Sequence, residues 1–296
     1  MALIEAVPGT RGWGVTRVCE VAGHPVFVKT IPVCDAEVAA ADPTADVFDL
    51  PLVYRYGVGS AGVSAHRELV AHQLTTSWVL DGSCAGFPLL FHHRLVPLAA
   101  QTRLMDPQRL DRYVAYWDDA PAIRALIEAR QRASHSLALF CEHVPHVLMD
   151  WLPANQHRVG DVLGQALEIT DHLRAHRAAH FDANPSNLLT DGERLYFADL
   201  GLFLHPQFAL SAAEQDFLTA HRYYDIAQIV GTLTMAPPGR EFVRSPAFDE
   251  AVSAFEPLGR LVTDLFDRLH HGPKTLGHFD DTLARQLLDQ ARSTMP

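Results

Sequence analysis

The sequence predicts an α+β protein whose strands come first and whose helices follow. Three observations predict it. The first third carries short β-branched runs closed by glycine and proline turns. The second half carries apolar residues at helical spacing, such as Val162, Ala166, Ile169 and Leu173. One β-like island, residues 187–202, interrupts that helical half.

Residues 15–21 (VTRVCEV) and 26–31 (VFVKTI) are strand candidates joined by Ala22-Gly23-His24-Pro25, which reads as a hairpin ending at Pro32. Residues 34–48 are rich in Ala and Asp, contain a proline and read as a loop. A helix is expected over 64–80, with Leu69, Leu74 and Trp78 to one side. Residues 87–96 form a short apolar strand candidate. Residues 107–139 read as helical: Leu110, Val114 and Trp117 follow i, i+4, i+7, and Pro121 can open a second helix. HVLMDWL, at 146–152, reads as a buried strand ended by Pro153. Further helices are expected over 223–233, 248–269 and 280–291. No internal repeat or low-complexity linker is visible, and Leu152-Pro153 marks the expected boundary between the two halves.

Composition narrows the function. The 296 residues are 48% hydrophobic and 20% charged, which is globular composition. A net charge of −11 argues against non-specific nucleic-acid binding, which rests on phosphate neutralisation. No apolar run reaches the roughly 18 residues of a membrane helix. The opening MALIEAVPGTRGWG lacks the basic start and apolar stretch of a signal peptide. Cys19, Cys34, Cys84 and Cys141 form no CxxC pair, so neither a disulfide framework nor a zinc site is expected, and a cytoplasmic location is. None of the 17 histidines stands in a metal-ligand spacing.

The chemistry concentrates in HFDANPSNLLTDGERLYFADLG, residues 180–201. An aspartate at a loop start, Asp182, can take a proton from an attacking hydroxyl. Asn187 and Asp199 can hold Mg²⁺ against phosphate oxygens. Asp191-Gly192 between two apolar runs is a hairpin signal, and the hairpin brings Asn187 and Asp199 back toward each other.

His180, Asp182, Asn187, Asp199 and Gly201 resemble, in order and spacing, the catalytic and metal-binding segments of the protein kinase-like superfamily. That superfamily includes protein kinases, aminoglycoside phosphotransferases and choline kinases. The resemblance implies a bilobal fold: a β-rich N-lobe over 1–152, a mainly helical C-lobe over 153–296, and a helical insertion near 107–139. It implies ATP and Mg²⁺ as cofactors. It also demands a phosphate-contacting lysine on an N-lobe strand. Lys29 supplies it, and of 24 basic residues only Lys29 and Lys274 are lysines. Arginine's planar fork does not replace a compact ammonium. Glu68 is the candidate partner for Lys29; its alternative is a solvated helix charge.

Other assignments follow the same resemblance. Gly9, Gly12 and Gly14 are candidates for the loop covering the phosphates, although GTRGWG is not GxGxxG. Met149, Asp150, Trp151 and Leu152 match the interlobe hinge whose backbone binds adenine; the alternative is a core strand. Phe27 lies two residues before Lys29, on the same strand face, where it can stack on the base or pack in the core. Asp225 either braces the catalytic loop or caps a helix.

The acceptor is expected to be a small molecule. Asp182 to Asn187 looks like the D-x-x-P-x-N loop of aminoglycoside and choline kinases. Phe181 stands in place of the arginine of HRD, and no APE motif follows Asp199. The alternatives are a Ser/Thr kinase acting on a protein or peptide hydroxyl, and a nucleotide-binding pseudokinase or scaffold. No nucleic-acid or membrane partner is expected.

Overall fold

The computed structural model describes residues 15–98, 105–234 and 243–294. It is an α+β structure with two small antiparallel sheets and a large helical part. Strands β1 (Val15–Val21), β2 (His24–Val33), β3 (Leu90–Pro97) and β4 (His135–Glu142) form one sheet in the order β1-β2-β4-β3. Strands β5 (His146–Val147), β6 (Leu188–Thr190) and β7 (Leu195–Phe197) form the other, in sequence order. The helices are α1 (Asp35–Ala39), α2 (Ala65–Leu80), α3 (Pro107–Tyr116), α4 (Pro121–Gln131), α5 (Leu148–Trp151) and α6 (Val159–Ala175). They continue with α7 (Ala212–Thr219), α8 (Tyr224–Thr234), α9 (Pro246–Ser253), α10 (Glu256–His271) and α11 (Asp281–Ser293).

The expected hairpin is present, with Lys29 paired to Thr16 on one side and to Leu139 on the other. Alternation along β2 divides its side chains. Val26 and Val28 pack with Cys19, while Ile31 and Val33 pack with Leu137, Leu139, Cys141 and Ala65 of α2. Helix α2 starts where Ser64 accepts from the backbone N–H groups of His66 and Arg67. It stops before Gly82, whose φ is +77°.

Several expectations are corrected. The helical stretch ends at Gln131, and residues 135–142 are instead the strand that pairs with both β2 and β3. Its Leu137, Leu139 and Cys141 alternate toward the core, a period-two signal hidden behind the preceding helical run. The strand expected over 146–152 is only His146–Val147; the chain then turns into α5. Since β5 pairs with β6, the passage from one sheet to the other falls at 143–145, ahead of Leu152-Pro153. The loop expected over 34–48 holds α1, and the helix expected over 248–269 is broken between α9 and α10. All four cysteines are free and buried. No helix among the described residues is long and apolar enough to cross a membrane.

Helices α3 and α4 pack into the main core through Leu110, Val114, Trp117, Ile123 and Leu126. The second lysine fixes their far end. Lys274 Nζ lies 3.9 Å from the Tyr116 ring centroid and donates to Leu269 O, and Asp118 accepts from the Lys274 N–H at 2.6 Å.

Helices α8 and α10 cross at Gly231 and Gly259. A Cβ on Gly231 would sit 2.8 Å from Gly259 O, and one on Gly259 would sit 2.8 Å from Gly231 Cα. A helical Gly→Ala change ordinarily stabilises by about 1 kcal/mol. Here backbone would have to move, and overpacking costs about 1–3 kcal/mol. Gly259→Ala is therefore expected to lower the Tm; a raised Tm in thermal denaturation would contradict this crossing.

Candidate functional site

Residues of both sheets line one cavity, and Lys29, Glu68, Asp182, Asn187 and Asp199 meet beside it. Lys29 Nζ donates to Glu68 Oε1 at 2.6 Å and to Asp199 Oδ1 at 2.8 Å. Strand β2, helix α2 and the segment after β7 are thus joined at one ammonium. The Lys29 and Glu68 side chains are 13% and 5% exposed, against 38% for Asp199, so the open end of the triad is the aspartate. Burial alone would lower the Lys29 pKa. The charges of Asp199 and Glu68 outweigh it and hold the ammonium above the ordinary lysine range. Burial also opposes ionisation of Asp199, but Lys29 overrides it and keeps that carboxyl below its usual value. Glu68 is shifted upward, by burial first and by Asp199 in addition, against Lys29. Behind it His72 is driven down to about 3 by burial and is neutral.

Asp182 stands on the opposite wall. Asn187 Nδ2 donates to its Oδ2 at 2.7 Å and Asn184 Nδ2 to its Oδ1 at 2.8 Å. Burial, then the charge of Asp199, push the Asp182 carboxyl well above its usual range, against both amides. With its nitrogen committed to Asp182, Asn187 has its carbonyl oxygen to offer a cation.

The loop carrying Asp182 is held from beneath. Asp225, at the start of α8, accepts from the N–H groups of His180 at 2.7 Å and Phe181 at 2.8 Å. It is a brace for this loop. Those bonds hold Phe181 at a φ of +65°, which a non-glycine residue rarely adopts. Its ring is buried against Phe217 and Tyr224. His180 Nδ1 accepts from the Asp182 N–H at 3.2 Å, so the ring hydrogen lies on Nε2, 3.0 Å from Ala198 O. Burial lowers this imidazole to about 4. Asp199, at φ +60°, is another non-glycine residue in the left-handed region.

Two cavities share these groups. One, of about 360 Å³, runs under the four-stranded sheet between Val18, Phe27, Cys141, Val144 and Leu189, and reaches Lys29, Asn187 and Asp199. Phe27 therefore faces the cleft, as its register with Lys29 predicts. Met149, Asp150, Trp151 and Leu152 do not line it. The connecting segment that does is residues 141–145, because the strand leading into it is β4 rather than the one expected over 146–152, and 149–152 lie in the helical turns beyond. Gly9, Gly12 and Gly14 lie outside the described residues.

The second cavity, of about 340 Å³, contains Lys29, Glu68, Asp182, Asn187 and Asp199 together. One further wall comes from a segment sequence reading passed over, Gly57-Val58-Gly59-Ser60-Ala61-Gly62, all of it but Val58 lining the cavity. A Cβ on Gly57 would lie 2.5 Å from Asp182 Oδ1. This GxGxxG pattern was legible, but only the fold brings it to Asp182.

A Mg²⁺ ion uses one or two carboxylates and takes its other ligands from phosphate oxygens and water. The Asp199 carboxylate and the Asn187 amide oxygen suit that demand. Among the described residues no group of three or more His, Cys, Asp or Glu is placed to hold a metal by itself. Compared with known proteins, the chain matches no family model and no curated protein.

Proposed function

We propose that the chain is an ATP-dependent phosphotransferase of the protein kinase-like type, moving a γ-phosphate to a hydroxyl of a small-molecule acceptor. The observation that carries this reading is the Lys29 bridge to Glu68 and Asp199 in the same cavity as Asp182 and Asn187. In it the two sheets belong to two lobes, and the apolar cavity beside Phe27 takes the base. Lys29 meets the phosphates as a charged ammonium, held in place by Glu68. Asp199 and Asn187 would hold Mg²⁺, which when bound neutralises phosphate charge. Asp182, oriented by Asn184 and Asn187, accepts the proton of the attacking hydroxyl. Phosphoryl transfer asks little else of a protein than position and charge.

The small-molecule reading is favoured by the wall of residues 57–62, which confines the space at Asp182. A peptide acceptor would need an extended groove there.

The test is thermal stability with MgATP, followed by ATP consumption against sugars, amino alcohols, aminoglycosides and peptides. A ligand at a hundred times its Kd stabilises the folded state by about 2.7 kcal/mol. For a chain of this size that is a Tm rise on the order of 5 °C or more. An unchanged Tm at millimolar MgATP would count against the reading.

A further inference from the structure

The wall formed by residues 57–62 has a polarity of its own. Its carbonyl groups are tied outward, to helices behind it. Tyr224 Oη donates to Tyr56 O at 2.8 Å, Tyr116 Oη to Val58 O at 2.9 Å and Tyr113 Oη to Gly59 O at 3.1 Å. Arg130 Nη1 donates to Ala61 O at 2.6 Å. In a trans peptide the C=O and the next N–H point in opposite directions, and the chain has no cis peptide among its described residues. Tying the carbonyls of residues 58, 59 and 61 to the helices therefore aims the N–H groups of Gly59, Ser60 and Gly62 the other way. None of these three N–H groups has a hydrogen-bond partner among the described residues. Gly57, Gly59 and Gly62 have φ of +69°, +101° and +75°, the conformation in which nearby N–H groups converge into an anion-binding concavity.

The charges of the cavity sharpen the point. They are Lys29, Glu68, Asp182 and Asp199, and the ammonium already pairs with two of the carboxylates. An anion entering here would meet mostly negative charge. The unpaired amides are the remaining source of positive potential.

We propose that residues 57–62 are a backbone cradle for a phosphate oxyanion beside Asp182. The phosphate is the terminal one of the nucleotide or one carried by the acceptor. The proposal rests on the phosphotransferase reading for the source of the phosphate, and not for the binding itself. Tyr113, Tyr116 and Arg130 thereby give helices α3 and α4 a role: they position the cradle from outside the cavity.

The probes are inorganic phosphate, followed by phosphorus NMR line broadening, and MgADP against the magnesium complex of a non-hydrolysable ATP analogue, followed by calorimetry. The variants are Ser60→Asp, which puts a carboxylate beside the cradle in place of the hydroxyl that donates to Tyr54 O, and Tyr116→Phe, which frees Val58 O without entering the cavity. Ser60→Asp is expected to weaken phosphate binding tenfold or more, by like-charge repulsion. Tyr116→Phe is expected to weaken it about three- to tenfold, the range for one hydrogen bond. If the ATP analogue binds wild type tighter than ADP and Ser60→Asp erases the difference, the nucleotide is the source. If Ser60→Asp keeps that difference but loses phosphate binding to the MgADP complex, the acceptor is. Phosphate binding lost in Ser60→Asp, with no nucleotide binding by wild type, keeps the cradle and removes the phosphotransferase reading. Unchanged phosphate and analogue affinities in Ser60→Asp, with turnover intact, overturn the cradle and leave that reading. Should Ser60→Asp fail to fold, unchanged phosphate affinity in Tyr116→Phe overturns it.

Discussion

Asp182→Asn is expected to lower turnover by ~10²-fold or more while MgATP affinity stays near wild type, the loss that follows removal of a general base. Asp199→Asn is expected to abolish turnover and to weaken Mg²⁺-dependent nucleotide binding as well. The difference follows from what each side chain touches. Asp182 is bonded to Asn184 and Asn187, and the proposal gives it the acceptor, whereas Asp199 is bonded to Lys29, and the proposal gives it the metal and the phosphates. Because burial and Asp199 raise the Asp182 carboxyl, the acid limb of the rate profile should lie above the ordinary carboxylate range. The sign follows from its role: a proton acceptor must be ionised, so activity falls as pH drops through the raised pKa. Calorimetric MgATP binding beside steady-state ATP consumption separates the two roles. Wild-type turnover in Asp182→Asn would remove Asp182 from the chemistry.

Glu214→Ala is expected to be the most destabilising of the changes considered. Glu214, in α7, accepts from Arg67 Nη1 at 2.7 Å and from Arg55 Nη2, and both arginine side chains are 1% exposed. Removing the carboxylate leaves two guanidinium groups buried, with Asp46 at 3.4 Å from Arg55 as the remaining acid. Breaking a buried ion pair by deleting one partner costs about 3–5 kcal/mol, a Tm drop on the order of 10 °C for a chain of this size. The Ser211 N–H, which donates to Glu214 Oε2 in the cap of α7, loses its acceptor too. Since Arg67 precedes Glu68 in α2, the Lys29 bridge should loosen with it. Thermal denaturation of Glu214→Ala and Glu214→Gln measures the effect. A Tm within a degree or two of wild type for Glu214→Ala would mean that the arginines find other partners.

The candidate site of this chain was more legible in its sequence than its architecture. Asn187 and Asp199 flank one hairpin and Asp182 lies just before it, so local spacing alone brings them together. Lys29 stood out because arginine fills nearly every other basic position. Glu68 required only a helix beside the strand. Strand β4 was hidden because its apolar alternation continues an apolar helix without a glycine or proline between them. That error moved the connecting segment from 141–145 to 149–152. The position of the GVGSAG segment beside Asp182 and the pairing of Arg55 and Arg67 with Glu214 were out of reach for another reason. Both depend on contacts between residues more than 140 positions apart or on helices packed from outside, such as Arg67 with Glu214 and Tyr224 with Tyr56. No local pattern encodes those distances.

The most direct test of the central claim is a crystal structure grown with Mg²⁺ and a non-hydrolysable ATP analogue. The expected density places the base beside Phe27 and the segment 141–145, the phosphates at Lys29, and the ion against Asp199 and Asn187. Nucleotide bound elsewhere, or a cleft without density for it at saturating analogue, would contradict the account.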